Sequence, residues 1–198
     1  MLSVVEVISL WSDPRYKDYL PRGQQIESEW FDKFVASWNV ARTITKDRRA
    51  DVLGYLNGTF RHAVARNQDG SAVDDAANAI AKKKWTPNAN EPLSLVSKVA
   101  FFLRPDRFVP VDRWARAGIK LFTPPGQAPA DKTYKAYLTA FDKVYDGGHR
   151  AAIEQIATSR WAKDLARLAG CDQAILPSEP FTRKVLDNGL MRAGGRPL

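Results

Sequence analysis

Two side chains near the middle of the chain have types and surroundings suited to covalent chemistry. Lys98 lies inside the most hydrophobic stretch, LSLVSKVAFFLR. On a helix its same-face neighbours are Ser94 and Leu95 on one side and Phe101 and Phe102 on the other. A lysine placed there is partly desolvated, which disfavours the ammonium and lowers its pKa from the reference of about 10.4. A neutral amine is a nucleophile, whereas an ammonium is not. Asp112 follows 14 residues later, at an expected helix start. A helix N-terminus holds a carboxylate ionised and in a fixed direction. Taken alone, the same two residues also read as a lysine snorkelling to solvent and an aspartate that only caps a helix.

The elements that must position this pair are helical. Residues 27–42 place Trp30, Phe31, Phe34, Val35 and Trp38 on one stripe. Asp47 is an expected cap for a helix through Leu53, Leu56 and Phe60. Residues 67–70 read as a turn, and Ser71 followed by Asp74 as a capping-box start for a helix ending at Lys82–Lys84. After a loop over 86–92, Pro92 opens the lysine helix and Pro105 stops it. Two prolines exclude a helix over 105–111, which must be extended or turn-like.

Asp112 then caps RWARAGIKLF, and Pro124 and Pro125 open a second loop. A helix over 131–146 ends at Gly147–Gly148, and another over 149–169 ends at Gly170. Ser178 begins the last helix, and AGGRPL is an expected frayed tail. The reading is all-α: about eight helices in a single domain over 1–198, with the chemistry in about 92–122. A helix, a short return loop and a second helix can bring Lys98 and Asp112 to one mouth.

Charge points to a partner. The 198 residues carry a formal charge of +8, with 14 Lys/Arg against 12 Asp/Glu in residues 1–100 and 16 against 10 in residues 101–198. The excess favours a polyanion, nucleic acid or an anionic membrane surface. The single cysteine, Cys171, allows no intrachain disulfide and fits a reducing cytoplasm. No apolar run reaches bilayer length, and Glu6 inside the first apolar stretch argues against a signal peptide. His62, His149 and Cys171 have no metal-ligand spacing, and there is no Gly-rich phosphate loop and no GxSxG. No metal or cofactor is expected.

The segment SKVAFFL…FVPVDRWARAGI resembles the catalytic segment of the helix-hairpin-helix DNA glycosylases, in particular the 8-oxoguanine glycosylase branch. The resemblance covers about 30 residues. It implies a compact glycosylase-like helical fold with Lys98 as nucleophile and Asp112 assisting base departure. The family's hairpin is usually L-P-G-V-G-x-K; here the matching stretch, residues 92–98, is PLSLVSK, without glycine. The implied reaction flips a nucleotide out of the stack and attacks C1′ with Lys98. The base is displaced, and the resulting Schiff base permits β-elimination at the abasic site.

The implied partner is DNA, near the nucleoid, with no membrane and no obligate protein partner. Segment 98–120 holds six cations against two carboxylates. Arg104 and Arg107 flank the return loop and are candidates for phosphate contacts, with Arg113 and Ser97 beside them. Phe102 and Trp114 are candidate walls of the base pocket. The resemblance implies an oxidised purine as the excised base, with another modified base, including one in phage DNA, as the alternative. The competing readings are a non-catalytic DNA-binding module that keeps the fold, a helical protein whose basic surface meets an acidic partner, and a membrane-surface binder.

Overall fold

In the computed structural model, described for residues 2–13, 25–38, 40–87, 92–124 and 132–196, every regular element is helical. The helices are α1 (Leu2–Ser12), α2 (Ser28–Ser37), α3 (Arg49–Tyr55), α4 (Arg61–Arg66), α5 (Ser71–Lys82), α6 (Leu93–Leu103), α7 (Arg113–Phe122), α8 (Tyr134–Val144), α9 (Arg150–Ala157), α10 (Arg160–Leu168) and α11 (Glu179–Ala193). The all-α expectation holds. The centres of both expected loops, 88–91 and 125–131, and the end of the tail, 197–198, lie outside the described residues. Two compact units emerge. One comprises residues 19–111 and 133–135 and carries Lys98; the other comprises 1–18, 112–132 and 136–198 and carries Asp112.

In the lysine-bearing unit, α6 is mostly apolar and is buried on every side: residues 95 to 102 are all buried, Ser97 and Lys98 among them. α2 turns Trp30, Phe31, Phe34 and Val35 inward, four residues of the expected stripe, while Trp38 at its C-cap is half-buried. Two helix-start signals resolve differently from expectation. The first is Asp47, which caps nothing; it lies in a 3-10 turn, Lys46–Arg48, and α3 begins without a side-chain cap. The chain is instead fastened there by Thr45, whose amide and hydroxyl both donate to the Trp85 carbonyl. Between α3 and α4 a π turn, Leu56–Phe60, contains Asn57, whose side-chain amide exchanges two hydrogen bonds with the backbone of Ile26.

The second is the Ser71–Asp74 capping box, which does not form. Gly70 takes the N-cap with φ +86°, where a side chain is strained, while Asn67 and Asp69 accept from the amides of Gly70 and Ser71. Asp74 is thereby released to act at a distance. It accepts from the amides of Tyr134 (2.6 Å) and Lys135 (2.9 Å). Lys135 in turn donates to Asp69 at 2.7 Å.

In the other unit, α7 packs on α11 backbone to backbone. A Cβ at Gly118 would stand 1.9 Å from the Leu190 carbonyl oxygen, and one at Gly194 would stand 2.0 Å from that of Trp114. α1 buries Val4, Val7, Ile8 and Trp11; the Trp11 ring meets Phe181 of α11 edge-on at 6.1 Å. The expected single helix over 149–169 is two. Thr158 donates its hydroxyl back to Glu154, and Ser159 caps α10 by accepting from the Ala162 amide. Gly170 has φ +68°, the left-handed stop expected of it.

Gly118→Ala is expected to destabilise the chain by about 3 kcal/mol, because the added methyl meets backbone that cannot step aside. Gly54→Ala, with no atom within 4 Å of the new methyl, is expected to be tolerated or stabilising. Urea melts of both variants check this; equal losses would show that helix contact is not the reason. A second expectation concerns pH. The hydrogen bond from Lys135, then those from Ser71 and Asn67, hold the Asp69 carboxyl well below the usual carboxylate range. A depressed folded-state pKa contributes stability above about pH 4 and loses it as pH falls through the folded value. Asp69 is exposed, so salt screens the effect. Asp69→Asn should lower the melting temperature at pH 7, with the deficit shrinking below about pH 4; a pH-independent deficit would refute this.

Candidate functional site

Lys98 is 9% exposed, on the inner face of α6. Its Nζ donates to the carbonyl oxygen of Trp38 at 2.9 Å and lies 5.8 Å from the centre of the Trp38 ring. Trp38 is the C-cap of α2, and the last carbonyls of a helix attract a donor, a charged one most of all. Lys98 therefore closes the end of α2 from another helix. The contact suits both protonation states. An ammonium gains from the carbonyl and the ring face, while a neutral amine donates one N–H and keeps a lone pair.

The surroundings are aromatic. Phe102, one turn on, packs edge-on against Trp30 (5.5 Å), Phe34 (5.4 Å) and Trp38 (5.2 Å), and Trp30 stacks on Phe34 at 4.8 Å. At 2% exposure Phe102 is a core side chain that walls the lysine's environment. The Trp30, Phe34 and Trp38 components are legible in the sequence as an i, i+4, i+8 stripe. The Trp38 carbonyl, a main-chain acceptor, has no sequence signal.

Ser97 does not face a nucleic acid. It is fully buried, accepts from the Val111 amide at 3.1 Å and donates to the Ser94 carbonyl. It holds the return loop in place. The two arginines of that loop also turn toward protein. Arg104 donates to the Ala65 carbonyl at 3.2 Å and pairs with Asp106 at 3.1 Å, and Arg107 donates to the Gln68 carbonyl. Both meet carbonyls at or just past the end of α4, the favourable place for a cation. The phosphate contacts expected of Ser97, Arg104 and Arg107 thus compete with internal bonds. Tyr134 carries no sequence signal, yet its hydroxyl accepts from the Val109 amide and donates to the Val109 carbonyl.

Asp112 occupies the other unit, where it is the N-cap of α7. Its Oδ1 accepts from the amides of Trp114 and Ala115, each at 2.9 Å. Oδ2 is not engaged by the cap. The next residue, Arg113, is exposed and lays its guanidinium over the Trp114 ring at 4.3 Å. The indole also rests beside the Gly194–Gly195 turn. With this cover, Trp114 is a half-buried packing residue rather than an open stacking surface. No group of three or more His, Cys, Asp or Glu able to hold a metal occurs among the described residues. Nor is any helix there long and apolar enough to cross a membrane.

The two roles open to Asp112 separate by substitution. As a cap, Asp112→Ala should cost about 1 kcal/mol, and Asp112→Asn, an equally good cap, within a few tenths. Thermal melts decide between them; a large loss in the asparagine variant would mean that the charge itself holds the unit. No protein-family model, no curated protein and no solved structure matches this chain.

Proposed function

We propose that the chain is a DNA glycosylase with an associated abasic-site lyase activity, acting on a damaged or modified base. The observation that carries this reading is Lys98. It is a primary amine buried on the apolar helix α6, held by a main-chain acceptor among aromatic rings. Its sequence setting, SKVAFFL…FVPVD, resembles that of a glycosylase nucleophile. The neutral amine attacks C1′ of a flipped nucleotide. The C–N bond to the base breaks as the new C–N bond forms, and the base leaves with a proton. The adduct, a Schiff base once the sugar ring opens, allows β-elimination of the 3′ phosphate. The resemblance implies that Asp112, the N-cap of α7, stabilises positive charge developing on the sugar during base departure.

A second reading has its own support. The Lys98–Trp38 contact caps α2 whether or not chemistry follows, so Lys98 also fits a purely structural role, as in a DNA-binding module without catalysis. Borohydride trapping separates the two. Protein is incubated with single- and double-stranded oligonucleotides bearing an abasic site or 8-oxoguanine, then reduced. A covalent adduct is expected with wild type and none with Lys98→Gln. Asp112→Asn should retain the fold and release base at least about 100-fold more slowly. No adduct on any substrate, with DNA still retained at low salt, would establish the binding module; an adduct surviving in Lys98→Gln would move the nucleophile elsewhere.

A further inference from the structure

We infer that the outward face of α7, from Arg113 to Leu121, is a docking surface for the phosphate backbone of a nucleic acid. The inference rests on the reading of the chain as a DNA-acting protein, and extends it from single contacts to a whole helix face. α7 buries Ala115, Gly118 and Ile119 against its own unit. Arg113, Ala117, Lys120 and Leu121 are exposed, with Leu121 at 69% and its neighbour Phe122 at 43%. Spaced at i, i+4, i+7 and i+8, the first four fall on one side of the helix. Arg113 and Lys120 stand about 10 Å apart along the axis, so their long side chains can reach separate phosphates of one backbone. Ala117 between them leaves room for close approach.

Charge selects the occupant. RWARAGIKLF contains three cations and no acid. Among the described residues neither Arg113 nor Lys120 meets a carboxylate, whereas Arg116 turns to the Lys132 carbonyl at 2.7 Å. Another amphipathic surface helix, α10, differs: Asp164 lies 3.8 Å from Arg160 and 3.6 Å from Arg167, so its cations are partly neutralised within the helix. The α7 face is also anchored. The close contact of Gly118 with Leu190 fixes which side of α7 points outward.

The test uses the full chain and an undamaged duplex oligonucleotide, and follows affinity against salt. Each phosphate contact adds about one unit to the slope of log affinity against log salt. The double variant Arg113→Gln with Lys120→Gln is expected to lower the slope by about 2. A charge-matched control on α10, Arg160→Gln with Lys163→Gln, is expected to leave it within error. Melting curves check that both variants fold. An unchanged slope in the α7 variant, an equal drop in the control, or retention by anionic phospholipid vesicles but not by DNA would overturn the inference. Because the duplex carries no lesion and no borohydride is used, the result stands apart from whether Lys98 forms an adduct.

Discussion

The return loop after α6 sets the terms for the lysine-bearing unit. Its two prolines deny it helix and supply no amide donors, yet Phe108, Val109 and Val111 are buried. Buried backbone polar groups left unpaired cost about 1–3 kcal/mol each. The loop therefore needs side chains that imitate backbone, and it finds them in Tyr134, which serves both polar groups of Val109, and in Ser97, which serves Val111. Tyr134 in turn depends on Asp74, which fixes the first amides of α8. Arg104 and Arg107 tie the loop's start to the end of α4. A few polar side chains thus convert an irregular segment into a rigid one beside the helix that carries Lys98.

The other unit keeps its own polar interior. On α11, Thr182, Arg183, Lys184, Asp187 and Asn188 are all buried. Arg183 pairs with Asp142 at 2.8 Å and lies over the rings of Phe141 and Tyr145, Lys184 pairs with Asp187, and Thr182 shares a hydrogen bond with the Tyr145 hydroxyl. Glu6 of α1 binds Asn188 and Arg192. Buried pairs of this kind add little net stability over apolar packing, but removing one partner typically costs about 3–5 kcal/mol. Their effect is selective: the pairs that reach α1 and α8 are satisfied in one register of α11.

Much of the helical plan is legible in the sequence because its signals are local. The strongly apolar run of α6 between Pro92 and Pro105, the aromatic stripe of α2, the Asp112 cap and the Gly170 stop each follow from periodicity or from one residue's backbone preference. The two misread helix starts share a cause. Ser71–Asp74 and Asp47 both carry cap-like spacing, but Asp74 is drawn to amides 60 and 61 positions away, and Thr45 finds Trp85 40 positions away. Long-range bonds outcompete local ones, and spacing does not reveal them. For the candidate site, the lysine and its aromatic companions are readable by type and position. The acceptor for the amine, a main-chain carbonyl, and the inward turn of Ser97 are not, since neither depends on a recognisable side-chain pattern.

The Lys98 amine finishes a helix to which it does not belong. The last turn of α2 is otherwise closed by main-chain bonds from Trp38 to Phe34 and from Val40 to Val35. Any event that captures or blocks the amine, such as a covalent sugar, an acyl group or a methyl group, withdraws or reshapes that donor. The end of α2 thereby answers to the lysine's chemical state: capture of the amine takes a hydrogen-bond donor from a carbonyl 60 residues earlier in the chain. Amide exchange at Trp38 and Val40 would read out what has happened at Nζ, and ligation and local order become two views of a single event.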